Sequence, residues 1–298
     1  MSTEKRVNLF LVGAAKSGTT SVAEMFKTHK DIFVPYYKEP FYFIEKYGIN
    51  EYNEYIGLYE NGKDNKYWVD ASTGYLSEVE AARKIYQYNK DAKIIIILRN
   101  PIDFCISYWK YMRINGNESL EFSEAISEEI IEKRNSEEFY KSSEQWPRNY
   151  HYLPRAKYFE QVQYYLSIFG EKNVKIILFE ELINGNEKIK EIYDFLGVDD
   201  NGEESLPKEN SSGEVRPFFH FLRFSKSLKP IKKIIKRFLS TETNMKIRKK
   251  SIQLSVNDKI APSINVERIE IARLLDKDVE RLKKSLPWIS FSAWKDFR

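Results

Sequence analysis

Cysteine is almost absent from this chain. Cys105 is the only one in 298 residues, which excludes an intramolecular disulfide framework and a cysteine-based zinc site. It sits in an apolar helical stretch and is expected in the core. Glycine and proline are also scarce, at 12 and 10, which argues against disorder. No apolar run reaches the roughly 20 residues of a membrane span, and the opening MSTEKRVNLF holds no long apolar segment. The reducing cytoplasm is therefore the expected location. Internal repeats and a helix-turn-helix pattern are missing as well, so nucleic acid is not an expected partner.

Aromatic residues are plentiful, with 20 Tyr and 19 Phe, or 15% counting Trp. Together with the length they provide for a substantial core, and a single α/β domain is expected. The net charge of +4 hides an uneven distribution, since residues 216–250 hold twelve Lys and Arg against one acid, Glu242.

The stretch Asn8 to Met25, NLFLVGAAKSGTTSVAEM, reads as strand, glycine-bounded loop and helix. Val22, Met25 and Phe26 have helical spacing and are expected against a sheet. Such a loop binds phosphate-like anions: glycines admit a close backbone, successive N–H groups point inward, and the helix N-terminus adds partial positive charge. Lys16 supplies a full charge. In a nucleoside triphosphate loop the lysine follows the second glycine and precedes a magnesium-binding hydroxyl. Here Gly13 and Gly18 keep that spacing, but Thr19 follows Gly18 and the lysine lies at position 16.

The pattern G-x-x-K-S-G-T-T resembles the 5′-phosphosulfate loop of sulfotransferases, which use 3′-phosphoadenosine 5′-phosphosulfate (PAPS). The resemblance implies cofactor contacts from Lys16, Ser17, Gly18, Thr19 and Thr20. It also implies a P-loop-NTPase-like α/β fold, a central parallel β-sheet flanked by helices.

In DIFVPYYKEPFYF, Lys38 and Glu39 interrupt an aromatic run before Pro40. A carboxylate among aromatic rings loses hydration and suits a general base; a partly buried Lys–Glu pair in a turn is the structural alternative. K-E-P-x-[FY]-F is similar to the segment after the phosphosulfate loop in the glycan-modifying and bacterial sulfotransferases, where the Glu is the base, and this places Glu39 in that role. YWVDASTGYL, Tyr67 to Leu76, reads as a buried strand and polar turn. It resembles the family's E-x-[ST]-P-x-Y-[LF] segment with three departures: Asp70 for Glu, Thr73 where Pro is common, and Ala71 where members acting on heparan-like glycans often have Lys. The last weakens the case for a highly sulfated glycan acceptor.

KIIIILRNP, from Lys93 to Pro101, fits a parallel strand buried on both faces. Arg99 stands at its C-terminal end, where ligands bind in open α/β sheets, and Pro101 opens the next helix. An Arg at a strand end and a hydroxyl further along a helix can share one phosphate; alternatively Arg99 closes a strand and Ser107 is an ordinary helix residue. R-N-P-x-x-x-x-x-S resembles the 3′-phosphate motif of sulfotransferases, which assigns Arg99 and Ser107 to that phosphate.

Further along, Asn117 to Ser143 reads as one or two acidic surface helices and Trp146 to Tyr158 as an aromatic, basic loop. His151 in that loop is expected to be structural, although other sulfotransferase branches use a histidine base, and His29 is expected as a capping or surface residue. Val174 to Phe179 is a buried strand, and Glu187 to Leu196 an amphipathic helix stopped by Gly197. Residues 8–200 form the expected core, 199–213 a polar linker, 216–250 a basic amphipathic helix pair and 266–286 a closing helix. The basic segment either packs with a solvated face, attracts PAPS or an anionic acceptor, or makes weak contact with a membrane surface. Arg216 is a further cofactor candidate, because the family often places a basic residue on a C-terminal loop over the nucleotide.

These readings converge on sulfuryl transfer from PAPS to a hydroxyl or amine of a small-molecule or glycan acceptor. Glu39 takes the proton, and Lys16, helped by Lys38, neutralises developing charge. A sulfuryl group carries less negative charge than a phosphoryl group, so lysine replaces magnesium and no metal is expected. The alternatives are a P-loop nucleotide kinase or NTPase and a non-catalytic PAPS-binding module.

Overall fold

The computed structural model describes residues 5–143, 145–200, 202, 206, 214–215, 256–257 and 265–297. They fall in two compact units, Met1–Phe104 with Pro154–Glu209 and Ile269–Arg298, and Cys105–Leu153 with Asn210–Arg268.

Five parallel strands form the sheet of the first unit: β1 (Leu9–Gly13), β2 (Ile32–Phe33), β3 (Tyr67–Asp70), β4 (Lys93–Leu98) and β5 (Val174–Leu178), in the order β2-β3-β1-β4-β5. Every residue of β1 and β3 is buried, and in β4 only Lys93 is not. Such continuous apolar strands need cover on both faces, which crossover helices supply. Described helices, in chain order, are α1 (Thr19–Lys27), α2 (Tyr52–Gly57), α3 (Val79–Tyr88), α4 (Pro101–Ile114), α5 (Phe122–Ala125), α6 (Glu128–Arg134), α7 (Glu137–Ser142), α8 (Tyr152–Ala156), α9 (Tyr158–Phe169), α10 (Phe179–Leu182), α11 (Glu187–Leu196) and α12 (Asn265–Ser285).

Alternation along the strands divides the core in two. Leu9, Leu11, Ile95, Ile97 and Ile177 share one cluster with Val22, Met25 and Phe26 of α1 and with Ile189, Ile192 and Leu196 of α11. Phe10 belongs to an aromatic cluster, its ring 5.8 Å from that of Phe43, which in turn meets the rings of Tyr55, Tyr75 and Tyr88. Because all five strands run the same way, Gly13, Asp70 and Leu98 end at one edge of the sheet. The loops after β1, β3 and β4 start there.

In the second unit a buried ion pair joins Arg134 to Glu118 at 2.7 Å, and the Tyr152 hydroxyl donates to the same Glu118 oxygen at 2.8 Å. Cys105 is buried, as expected. Residues 147–150 form a 3₁₀ turn and 152–156 form α8, where the sequence suggested a loop. Pro147 and Pro154 hide these turns from a pattern reading, yet each lies in a first turn, where the missing N–H has no intrahelical partner to lose. Glu214–Val215 (β6) pairs antiparallel with Val256–Asn257 (β7). The basic segment 216–250, Arg216 included, lies outside the described residues. Among the described residues no helix is long and apolar enough to cross a membrane.

Candidate functional site

The loop after β1 reaches α1 through Gly18, which caps the helix with φ 77°. That left-handed conformation is natural for glycine, and a Cβ here would press on the Phe179 ring at 3.0 Å. Gly18 has no side chain with which to satisfy the N–H groups of the first turn of α1, so these donors face the loop. Ser17 is fully buried and Thr19 nearly so; their backbone N–H groups are what they can offer a ligand. Lys16 has φ 62°. A left-handed backbone at a non-glycine residue costs about 1–3 kcal/mol and persists only where the surroundings fix it.

Arg99 holds it. Nη1 of Arg99, just past β4, donates to the Lys16 carbonyl at 2.8 Å, and its guanidinium lies 5.0 Å above the Phe179 ring. Nζ of Lys38, arriving from the loop after β2, donates to the Thr20 hydroxyl at 2.7 Å. The Lys16 ammonium has its pKa lowered by burial first, then by the charges of Arg99 and Lys38, while Glu39 opposes the shift. Three cations and one carboxylate are therefore in electrostatic contact around the loop, an environment that favours an incoming anion.

Glu39 also has a left-handed backbone, φ 62°, and so has Phe41, φ 51°. Its carboxylate Oε1 accepts from the Thr73 hydroxyl at 2.7 Å. Two residues on, the Phe41 N–H donates to Ser72 Oγ at 3.1 Å, and the Phe43 N–H donates to the Tyr75 hydroxyl at 3.4 Å. Both hydroxyls end on Asp70, from Ser72 at 2.6 Å and from Tyr75 at 2.9 Å, and Tyr55 adds a third donor at 3.0 Å. Asp70 is wholly buried, and burial pushes its pKa up to about 6 against the pull of these three hydrogen bonds; the nearby Glu39 charge adds to the rise.

Lys16, Gly18, Thr20, Lys38, Glu39 and Arg99 thus gather in the first unit. Ser107 lies on α4 and is buried; it belongs to the second unit. His151 is buried with Nε2 3.2 Å from the Arg134 carbonyl, a packing role. His29 caps, as its Nδ1 accepts the Asp31 N–H at 3.0 Å, but it is buried, with Nε2 bonding the Asp199 carbonyl at 2.8 Å. Among the described residues no three His, Cys, Asp or Glu side chains gather as metal ligands would.

Sequence reasoning missed the support beneath Arg99. Asn100 caps α4, its Oδ1 accepting from the N–H groups of Ile102 and Asp103. Its own N–H donates to Glu180 at 2.7 Å, its Nδ2 donates to Asp296 at 2.9 Å, and Trp294 Nε1 donates to the second Glu180 oxygen at 3.0 Å. An Asn directly before Pro101 is an N-cap signal. Nothing in the pattern points from it to residue 296.

Residues 6–252 match the sulfotransferase domain family. Over 122 residues the chain is 28% identical to membrane-associated sulfotransferase kil1 of Dictyostelium discoideum, covering 39% of this chain and 26% of that protein. Over 99 residues it is 30% identical to heparan sulfate glucosamine 3-O-sulfotransferase 6 of Mus musculus, covering 33% and 28%. The chain thus spans about a quarter of the length of these curated relatives. A crystal structure of a sulfotransferase from Alicyclobacillus acidocaldarius is similar in fold, with TM-score 0.69 at 24% identity over 98% of this chain and 100% of that one. The sulfotransferase domain of the curacin biosynthetic pathway gives 0.51 at 15% over 96% and 99%. The expected P-loop-NTPase-like architecture, a parallel sheet flanked by helices, is the one found.

Proposed function

The chain belongs to the sulfotransferase domain family, and from that premise we propose that it moves the sulfuryl group of PAPS to a hydroxyl or amine of a small-molecule or glycan acceptor. One observation carries the reading. Lys16 and Glu39 are both held in left-handed backbone, in electrostatic contact with each other and with Lys38 and Arg99. Strained backbone is retained where surrounding bonds over-determine it, and it clusters at sites of chemistry.

The donor set suits a polyanionic nucleotide. Lys16, Ser17, Gly18, Thr19 and Thr20 bring a charge, a hydroxyl and the amides of a helix N-terminus to its 5′ end. For the 3′-phosphate the reading assigns Arg99 and, from the motif spacing alone, Ser107; Arg216 is likewise assigned by sequence alone. PAPS supplies a sulfuryl group already bound to a phosphate leaving group. Glu39 removes the acceptor proton as the acceptor atom bonds to sulfur, while the electrons of the broken sulfur–oxygen bond go to the phosphate, giving 3′,5′-ADP. Lys16 neutralises that growing charge, and Lys38 acts beside it through the loop hydroxyl it bonds, so no divalent cation is needed. We read both compact units as parts of one sulfotransferase domain, because the family match extends across them. One relative has a heparan sulfate glucosamine acceptor in its name, which keeps amino sugars among the acceptors to try.

The test pairs ligand binding with an acceptor screen. Thermal stabilisation by 3′,5′-ADP should exceed that by Mg-ATP; the reverse order would point to a kinase or NTPase. PAPS should then be offered with 4-nitrophenol, long-chain alcohols, glucosamine and glucosamine oligosaccharides, with mass spectrometry for one added sulfo group. Turnover should survive chelation of metals and should drop about 10²- to 10⁴-fold in Glu39→Gln. PAPS binding without transfer to any acceptor, unaffected by Glu39→Gln, would make the protein a binding module instead.

A further inference from the structure

We propose that Thr73 and Ser72 are positioning residues that aim the Glu39 carboxylate, Thr73 by holding Oε1 and Ser72 by holding the Phe41 amide. The inference rests on the reading of Glu39 as general base.

The geometry begins with strain. Glu39 and Phe41, on either side of Pro40, both occupy the left-handed region, where a side chain crowds its own backbone and the conformation must be held from outside. Adjacent hydroxyls from the turn after β3 do the holding. Thr73 Oγ1 donates to Oε1 of Glu39 at 2.7 Å, and Ser72 Oγ accepts the Phe41 N–H at 3.1 Å while donating to Asp70 at 2.6 Å. Ser72 and Asp70 are fully buried and Thr73 is 7% exposed, so water does not compete well for these bonds. A hydroxyl has one proton to give. Spending it on Oε1 fixes which carboxylate oxygen is occupied and leaves Oε2 for the acceptor proton. Thr73 stands where proline, which carries no hydroxyl, is common in the resembled motif, so this hold comes from a departure of the present chain.

Removing the Thr73 hydroxyl should alter the base without unfolding the site. The charged groups in electrostatic contact with Glu39 are Lys16 on the loop after β1 and Asp70 at the end of β3, and Lys38 precedes it in the chain; a Thr73 variant changes none of them. Thr73→Val and the smaller Thr73→Ala are compared with Thr73→Ser, using PAPS and whichever of 4-nitrophenol or glucosamine accepts the sulfo group. Both hydroxyl-free variants should lose about 10- to 100-fold in kcat, the effect of one hydrogen bond to a charged group. The KM for PAPS and the thermal shift given by 3′,5′-ADP should stay at wild-type values. Thr73→Ser should restore kcat. Wild-type kcat in Thr73→Val and Thr73→Ala, with Glu39→Gln inactive, overturns the positioning role alone. Full turnover by Glu39→Gln overturns the base assignment and this inference with it.

Discussion

Nη1 of Arg99 donates a 2.8 Å hydrogen bond to the backbone carbonyl of Lys16, across 83 residues of sequence. The end of β4 and the loop after β1 are thereby one structure. Arg99 serves two purposes in the proposed site: it fixes the strained Lys16 backbone and presents its remaining N–H groups to the 3′-phosphate. Lysine keeps the charge but lacks the planar fork that allows both at once. Arg99→Lys should weaken 3′,5′-ADP binding by about 10-fold and Arg99→Ala by about 100-fold. Isothermal calorimetry with 5′-AMP, which lacks the 3′-phosphate, is the control. An equal loss for 5′-AMP would show that Arg99 acts only through the loop.

Gly18 is coupled to the same arginine through a ring. A Cβ at Gly18 would meet Phe179 at 3.0 Å, and the Arg99 guanidinium lies over that ring at 5.0 Å. Gly18→Ala must also adopt φ near 77°. The expected loss is about 1–2 kcal/mol in urea unfolding, from the left-handed backbone and the displaced ring. Binding of 3′,5′-ADP should weaken more than stability alone explains, since the cap and Arg99 move together. Unchanged 3′,5′-ADP affinity would mean that the first turn of α1 does not hold the nucleotide.

How much of this was legible follows from sequence distance. The strands β1 and β4 and the helix α1 were readable because a sheet covered on both faces demands apolar runs, and helix spacing placed Val22, Met25 and Phe26 against it. Lys16, Glu39 and Arg99 stood out as charges at loop positions beside such runs. The bonds between them did not, because Thr73 meets Glu39 across 34 residues and Asn100 meets Asp296 across 196. Asp70 was noticed only as a departure from a motif. Its place as the common acceptor of Ser72, Tyr75 and Tyr55 depends on the fold that brings three hydroxyls to one carboxylate.

Lys16 gives a pH-dependent prediction. Burial, then Arg99 and Lys38, make the folded protein bind the Lys16 proton less tightly than an unfolded chain does. Its contribution to stability therefore grows as pH rises through the window between the lowered value and the ordinary lysine value of about 10.4. An anion against the ammonium reverses the effect, so 3′,5′-ADP binding should draw in protons in that window. Calorimetry in two buffers of different ionisation heat should detect the uptake at alkaline pH, and Lys16→Arg should abolish it while leaving binding. In turnover, Lys16→Ala should lower kcat by about 10²- to 10³-fold, as expected for a group that stabilises charge formed in the transition state. A raised KM for PAPS with kcat intact would assign Lys16 to binding only.

Asp70 makes the fold itself pH-sensitive. Its pKa lies at about 6, raised by burial, against about 3.9 for an unfolded aspartate. A carboxyl whose folded pKa is raised stabilises the fold fully below the unfolded value and loses that contribution as pH climbs through the folded one. Roughly two pH units correspond to about 3 kcal/mol, so ionising Asp70 between pH 4 and 7 should withdraw about that much. Asp70→Asn has no proton to lose. Its carbonyl can keep accepting from Tyr55 and Tyr75, while its amide faces Ser72, whose hydroxyl then lacks an acceptor. The variant should be less stable than wild type at pH 4, and the gap should close or reverse by pH 7, as read from urea unfolding midpoints across the range. A gap constant to within about 0.5 kcal/mol, a typical extrapolation error, would mean that Asp70 is already ionised at pH 4 and that the three hydroxyls outweigh its burial.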